Sequence, residues 1–161
     1  METPSAQAKM MANKGYDRLL ETLAAVPDDK LKFSPSATCK SPLEIAAHCG
    51  YANAGLAGAI RGEQPAFRGT LEEMDAAMKP MLASIETRQQ VLDLLADSIS
   101  KVNSALDTVT PESMNTLVSV PFGDIPLMYI IFAPGQHMSG HASQIDYIQT
   151  IYGDQQNHMT F

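Results

Sequence analysis

Apolar residues recur at alternating spacings of three and four along most of the chain, the pattern that lays one stripe along a helix. In residues 4–26 the stripe is Ala8, Met11, Tyr16, Leu19, Leu20, Leu23 and Val26, with Lys14, Asp17, Arg18 and Glu21 outside it. Gly15 is a weak point in this helix, Pro27-Asp28-Asp29 ends it, and a polar connection runs on to Lys40. Ser41-Pro42-Leu43-Glu44 then reads as a helix start. Serine caps, proline takes the first helical position, and glutamate at the third returns a hydrogen bond. The second helix extends to about Ile60 with Ile45, His48, Ala52 and Leu56 along one line. Its other faces carry Ala46, Ala47, Ala54, Gly55, Ala57, Gly58 and Ala59, small enough for a neighbouring helix to come close.

Residues 61–69 form a loop, and Thr70-Leu71-Glu72-Glu73 is a further capping box opening a short helix expected to falter at Pro80. The next stripe is Leu92, Leu95, Ile99, Val102, Leu106 and Val109, with Arg88, Asp93, Asp97, Ser100 and Asn103 facing out and an end near Pro111. Leu117-Val118-Ser119-Val120 followed by Pro121-Phe122-Gly123 is the one β-like stretch, short enough to predict a crossover connection or a small hairpin.

The last run covers residues 126–152. Its stripe is Ile130, Pro134, His137, His141, Ile145, Ile148 and Tyr152, while Ser139, Asp146 and Gln149 are assigned to the solvated face. Asp124 and Pro126 serve as start signals and Gly153 as the stop. Pro134-Gly135 predicts a kink or break within residues 132–135 that sets the aim of His137. The tail, residues 154–161, is mostly polar; it is expected to fray, with His158 a free surface group.

Composition narrows the picture. The chain has 161 residues, 45% hydrophobic and only 6% aromatic, with ten methionines and no tryptophan. That fits one domain with a helical core. Four long amphipathic segments and one crossover predict an all-α four-helix bundle, in which facing helices build sites in the core. A formal charge of −7 with no basic stripe excludes a nucleic-acid surface. No apolar run reaches the ~20 residues needed to span a membrane, and residues 1–14 lack the regions of a signal peptide. Cys39 and Cys49 form neither a disulfide framework nor a CxxC motif. Cys49 reads as a small reduced core residue, and a cytoplasmic, reducing compartment follows.

The candidate chemistry lies in the histidines. His137 and His141 are four apart, ~6 Å along the axis and ~40° around it, so their imidazoles can converge on one ion. His48 lies in an apolar stripe of a second helix. Two readings remain open: three ligands of a divalent metal, or three hydrogen-bonded core histidines. A tris-imidazole set with an open position suits catalytic zinc, and imidazole also suits nickel, iron or copper; zinc or nickel is expected first, with iron or manganese as further choices. Gln144, three positions beyond His141, is placed to hydrogen-bond a ligand, a bound water or a substrate, or to be an interhelix glutamine. Glu44 lies one turn from His48, but its cap already accounts for it, and no general base stands out.

With these motifs assembled, the chain resembles the DinB-like (damage-inducible) family of bacterial four-helix bundles. The resemblance is carried by Ser41-Pro42-Leu43-Glu44-Ile45-Ala46-Ala47-His48 and by His137-Met138-Ser139-Gly140-His141-Ala142-Ser143-Gln144-Ile145, ending in Tyr152-Gly153. The helix order and the spacer at residues 61–80 match as well, so it covers nearly the whole chain as a single domain. It implies an up-down-down-up-like crossover, a homodimer, and a divalent metal held by His48, His137 and His141. Family members with known activity include metal-dependent thiol S-transferases and a thiol-dependent isomerase. Applied here, that gives a transferase joining a low-molecular-weight thiol to a small electrophile. The alternatives are a non-catalytic metal- or ligand-binding stress-response bundle and a metal-dependent hydrolase. Where the family often has Arg-Gly or Gly before the glutamine, Ala142-Ser143 stand here.

Overall fold

The computed structural model describes residues 3–158. In chain order it contains α1 (Pro4–Ala25), α2 (Pro42–Ile60), α3 (Leu71–Ala83), α4 (Arg88–Leu106), β1 (Leu117–Val120), β2 (Gly123–Pro126), α5 (Leu127–Ile130) and α6 (Ala133–Ile151). Helices α1, α2, α4 and α6 form a four-helix bundle. In it α1 packs on α6 and α4, and α2 packs on α4 and α6. The loop from α1 to α2 and the segment from α4 to α6 therefore cross the two diagonals, the latter through the β1–β2 hairpin.

Local sequence explains the helix starts. Ser41 Oγ accepts from the Glu44 amide while Glu44 Oε2 accepts from the Ser41 amide at 2.8 Å, and Thr70 with Glu73 and Thr87 with Gln90 repeat the device on α3 and α4. Each such cap contributes about 1 kcal/mol by satisfying amides the helix cannot. Leu19, Leu23, Leu43, Leu95, Leu106, Ile131, Met138 and Ile145 are fully buried and fill the centre.

The tightest contact in the frame is between backbones. A Cβ built on Gly15 of α1 would stand 2.5 Å from the Gly135 carbonyl oxygen, and one on Gly135 would stand 2.5 Å from the Met11 carbonyl oxygen. Gly15, which local propensity marks as a weakness, is what lets α6 lie against α1. The expected break also forms: α5 ends at Ile130, Ile131 and Phe132 turn, and Pro134 falls in the first turn of α6. There its missing amide leaves no helical bond unmade.

Several expectations are corrected. α3 runs through Pro80 to Ala83, because proline's φ is already helical and only one amide bond is forgone in the last turn. Ser84 closes that turn, its amide bonding the Pro80 carbonyl at 3.2 Å and its hydroxyl the Met81 carbonyl at 2.7 Å. Arg88 does not simply face out. Its guanidinium donates to the Leu23 and Val26 carbonyls, both at 2.6 Å, and to Asp28, closing the end of α1. α4 ends at Leu106, leaving Val109 beyond it.

Gln149 belongs to the core and not to the solvated face. It is wholly buried and donates to Thr22 Oγ1 at 3.1 Å, because α1 covers that side of α6. Asp124 opens no helix. It pairs with Ser119 in the hairpin register and accepts from Ser119 Oγ at 2.8 Å and Arg68 Nη2 at 3.0 Å. The tail from 154 to 158 folds back on α6 instead of fraying: the Asp154 amide bonds Gln149 O, and His158, half-buried, pairs with Asp154 Oδ2 at 2.8 Å. Residues 159–161 of the expected frayed tail lie outside the described residues.

The glycine contact gives a direct test. Gly15→Ala and Gly135→Ala should each destabilise the protein in urea titration by about 1–3 kcal/mol, since backbone must move to admit the methyl group. Gly140→Ala, on an open stretch of the same helix with nothing near its added Cβ, should instead stabilise by about 0.5–1 kcal/mol.

Candidate metal centre

His48 lies two turns into α2, and His137 and His141 lie one turn apart near the start of α6. Because α2 and α6 are packed neighbours, the three rings meet in the bundle. His137 Nε2 is 3.1 Å from His48 Nε2 and 3.1 Å from His141 Nε2, and one nitrogen from each ring lies within 4.8 Å of the others. Ring centroids are 4.4–4.9 Å apart with planes tilted by 51–82°, so the rings splay around a common point instead of stacking.

The outer nitrogens set the tautomers. His141 Nδ1 sits 2.7 Å from Gln144 Oε1, an acceptor, so Nδ1 carries the proton and Nε2 presents a lone pair. His48 Nδ1 likewise faces the thioether Met78 Sδ at 3.0 Å. His137 Nδ1 is buried with no partner among the described residues. A hydrogen-bonded core would leave one proton on His137 Nε2 to be divided between two lone pairs. A divalent cation satisfies all three, and tetrahedral ligands on bonds of ~2.0–2.1 Å stand roughly 3.3 Å apart. The donor set suits such an ion, and the two 3.1 Å separations from His137 are close to that spacing, with the third pair within 4.8 Å.

Burial keeps the rings neutral. Burial, then His141 and Lys40, lower the His48 pKa to about 4, against a smaller opposing pull from Asp75. Burial and the two neighbouring rings lower that of His137 to about 3. Burial also lowers His141, partly offset by its bond to Gln144. All three are neutral at pH 7.

The structure brings His48, His137 and His141 together, and Gln144 Oε1 lies against His141 Nδ1. Glu44 turns back to Ser41, as its cap requires. Cys49 is buried, its thiol pKa pushed up by desolvation, while Cys39 is exposed; both are free. His158 stays apart, held by Asp154. Four neighbours were missed. Met78 touches His48, and Lys40 Nζ and Asp75 Oδ1 form an ion pair at 2.9 Å one turn along α3 from Met78. Asn53, fully buried, joins α2 to α6 by donating to Met138 Sδ at 3.1 Å. Asn53 had a signal, a lone amide in a run of alanines and glycines. Met78, Lys40 and Asp75 had none, since nothing local says that α3 leans on α2.

The depressed histidines predict acid sensitivity in the metal-free protein. Between the unfolded value of 6.5 and the folded values of about 4 and 3, the unfolded chain binds protons that the folded chain does not. This stability is therefore complete above pH ~6.5 and lost as pH falls. Urea midpoints measured with chelator should drop between pH 7 and pH 5, and replacing His48 and His137 by leucine should flatten the slope.

Relatives agree with this architecture. The chain superposes on a conserved protein from Enterococcus faecalis with a TM-score of 0.70 at 16% identity, covering 94% of this chain and 98% of that one. A mycothiol-dependent maleylpyruvate isomerase gives 0.68 at 14% identity over 90% of this chain and 63% of its own. A DinB-like protein from Bacillus subtilis gives 0.66 at 14% identity and 96% of both chains. No curated protein sequence matches the chain. No helix among the described residues is long and apolar enough to cross a membrane. The sequence profile of the DinB superfamily matches residues 12–145, and the chain belongs to that superfamily.

Proposed function

We propose that the chain binds a divalent metal through His48, His137 and His141 and transfers a low-molecular-weight thiol to a small electrophile. The observation that carries this reading is the convergence of three Nε2 atoms, with His137 3.1 Å from each of the other two. Zinc or nickel suits the all-nitrogen set first, iron or manganese after them. When bound, such an ion lowers the pKa of a coordinated thiol and holds the thiolate ready for attack.

The chain's own residues do the rest. Gln144 and Met78 fix His141 and His48 with lone pairs inward, and burial keeps the rings neutral. In the transfer the thiol gives up its proton to solvent. Its sulfur then bonds to the electrophile's carbon while the leaving group departs with its electron pair. A water nucleophile, the hydrolase alternative, needs a base. Among the described residues no carboxylate joins the cluster. The nearby Asp75 is held by Lys40, which lowers its pKa and makes it a poor base. The thiol-linked name of one structural neighbour supports the same choice. A homodimer in the reducing cytoplasm, where Cys39 and Cys49 stay as thiols, completes the proposal.

Metal analysis by mass spectrometry on tag-free protein is the test. Near-stoichiometric metal is expected in the parent and none in a His137→Ala, His141→Ala double variant. No metal in either after incubation with zinc, nickel and manganese would sink the reading. Gln144→Leu should leave the fold intact and weaken metal affinity by roughly 10–100-fold, because His141 loses the acceptor that fixes its tautomer. Chelator competition measures it.

A further inference from the structure

We infer that the cleft between the start of α2 and the end of α3 is a second binding site, and that it takes a small zwitterion with an apolar side chain, a free aliphatic α-amino acid. The inference stands on that cleft and does not depend on the metal reading.

The cleft has a volume of about 210 Å³. Sites for drug-sized ligands and cofactors run to roughly 300–1,000 Å³, so the occupant here is smaller than these. Leu43 at the start of α2 and Leu82 and Ile85 around the end of α3 give it apolar walls, and its charged groups are Glu44 and Lys32. Both sides are fixed by backbone bonds. The Leu43 amide donates to the Leu31 carbonyl at 3.0 Å, which holds the residue before Lys32 against α2. The Ile85 amide donates to the Leu82 carbonyl at 3.1 Å and shapes the opposite side.

The polar atoms already engaged decide what can bind. An anion alone would seek the amides at the start of α2. Those amides are taken: Ser41 N by Glu44 Oε2, Leu43 N by the Leu31 carbonyl and Glu44 N by Ser41 Oγ. Glu44 has a spare acceptor. Its Oε2 accepts from the Ser41 amide and hydroxyl, both at 2.8 Å, while its Oε1 accepts no hydrogen bond among the described residues. One oxygen thus holds the carboxylate in place and the other is left for a cation. Lys32 lines the same cleft and forms no ion pair with Glu44 or with any other described residue. Two opposite charges on one small cleft, too far apart to pair, are bridged by a molecule that carries both. An α-amino acid does so, with its ammonium at Glu44 Oε1, its carboxylate at Lys32 and its side chain against Leu82 and Ile85. Charge-assisted bonds at its two ends orient it, and the apolar walls favour an aliphatic side chain over a polar one.

The test is a proton–nitrogen correlation NMR titration of tag-free protein treated with chelator, so that metal binding by the amino acid plays no part. The probes are L-leucine, 3-methylbutylamine, 4-methylpentanoate and glycine, the last three being leucine without its carboxylate, its ammonium and its side chain. L-Leucine should shift the amides of Lys32, Leu43 and Ile85 with a Kd on the order of 1–10 mM, and each of the other three should bind at least about threefold more weakly. Lys32→Met, and Glu44→Gln which keeps the capping box, should each weaken leucine about three- to fivefold. Ala83→Leu fills the cleft from an exposed position on α3 and should abolish the shifts without touching either charge. Shifts that persist in Ala83→Leu would put leucine elsewhere on the molecule and overturn the inference. Binding of 3-methylbutylamine or 4-methylpentanoate as tight as that of leucine would overturn it too, because the cleft would then read one charge only. So would a spectrum of the parent that does not move up to ~50 mM leucine.

Discussion

The rest of the molecule depends on the approach of two backbones at Gly15 and Gly135. Side chains in a core can repack by changing rotamers, but a carbonyl oxygen 2.5 Å from where a Cβ would sit cannot give way without moving a helix. Met11, Gly15 and Gly135 thus fix the distance between α1 and α6. The turn at Ile131 and Phe132, with Pro134 behind it, fixes where α6 begins. His137 follows two residues after Gly135 and His141 one turn later, so the aim of both imidazoles is set by a contact that contains no chemistry. The same apposition buries Gln149 against Thr22 two turns on and holds the helix along its length.

The cluster itself works against stability. Three imidazoles crowded together and desolvated enough to lower His48 to about 4 and His137 to about 3 cost free energy that a packed apolar core would not. The orphaned Nδ1 of His137 adds to that cost. The frame offsets it with caps on α2, α3 and α4, with the Arg88 clamp on the end of α1, and with a continuous apolar centre. A costly polar cluster inside otherwise consistent structure is where local sequence rules are expected to yield to something other than stability.

Much of this was legible in the sequence, for a definite reason. Helix starts are local: Ser41 and Glu44 are three residues apart and find each other in any context. The i, i+4 pair of His137 and His141 is local as well, and the placing of His48 in an apolar stripe needed only a bundle to bring it opposite. What was illegible depended on partners distant in the chain. Arg88 looked like a surface cation because its acceptors, Leu23 and Val26, lie more than sixty residues away. Gln149 looked solvated because polarity predicts exposure unless a buried partner such as Thr22 exists. His158 looked free because termini usually are, yet Asp146 and Asp154 both reach it. Gly15 was read by propensity as a defect, when its lack of a side chain was its use.

The same division between frame and chemistry explains how relatives at 14–16% identity keep one fold. A bundle constrains its sequence at few positions: small residues where backbones touch, caps where helices begin, apolar residues along the stripes. A cluster of one histidine from α2 and two from successive turns of α6 asks only that these helices keep their spacing. Lys40 and Asp75, paired at 2.9 Å between the loop before α2 and helix α3, belong to no apolar stripe, so their identity can change without disturbing the frame.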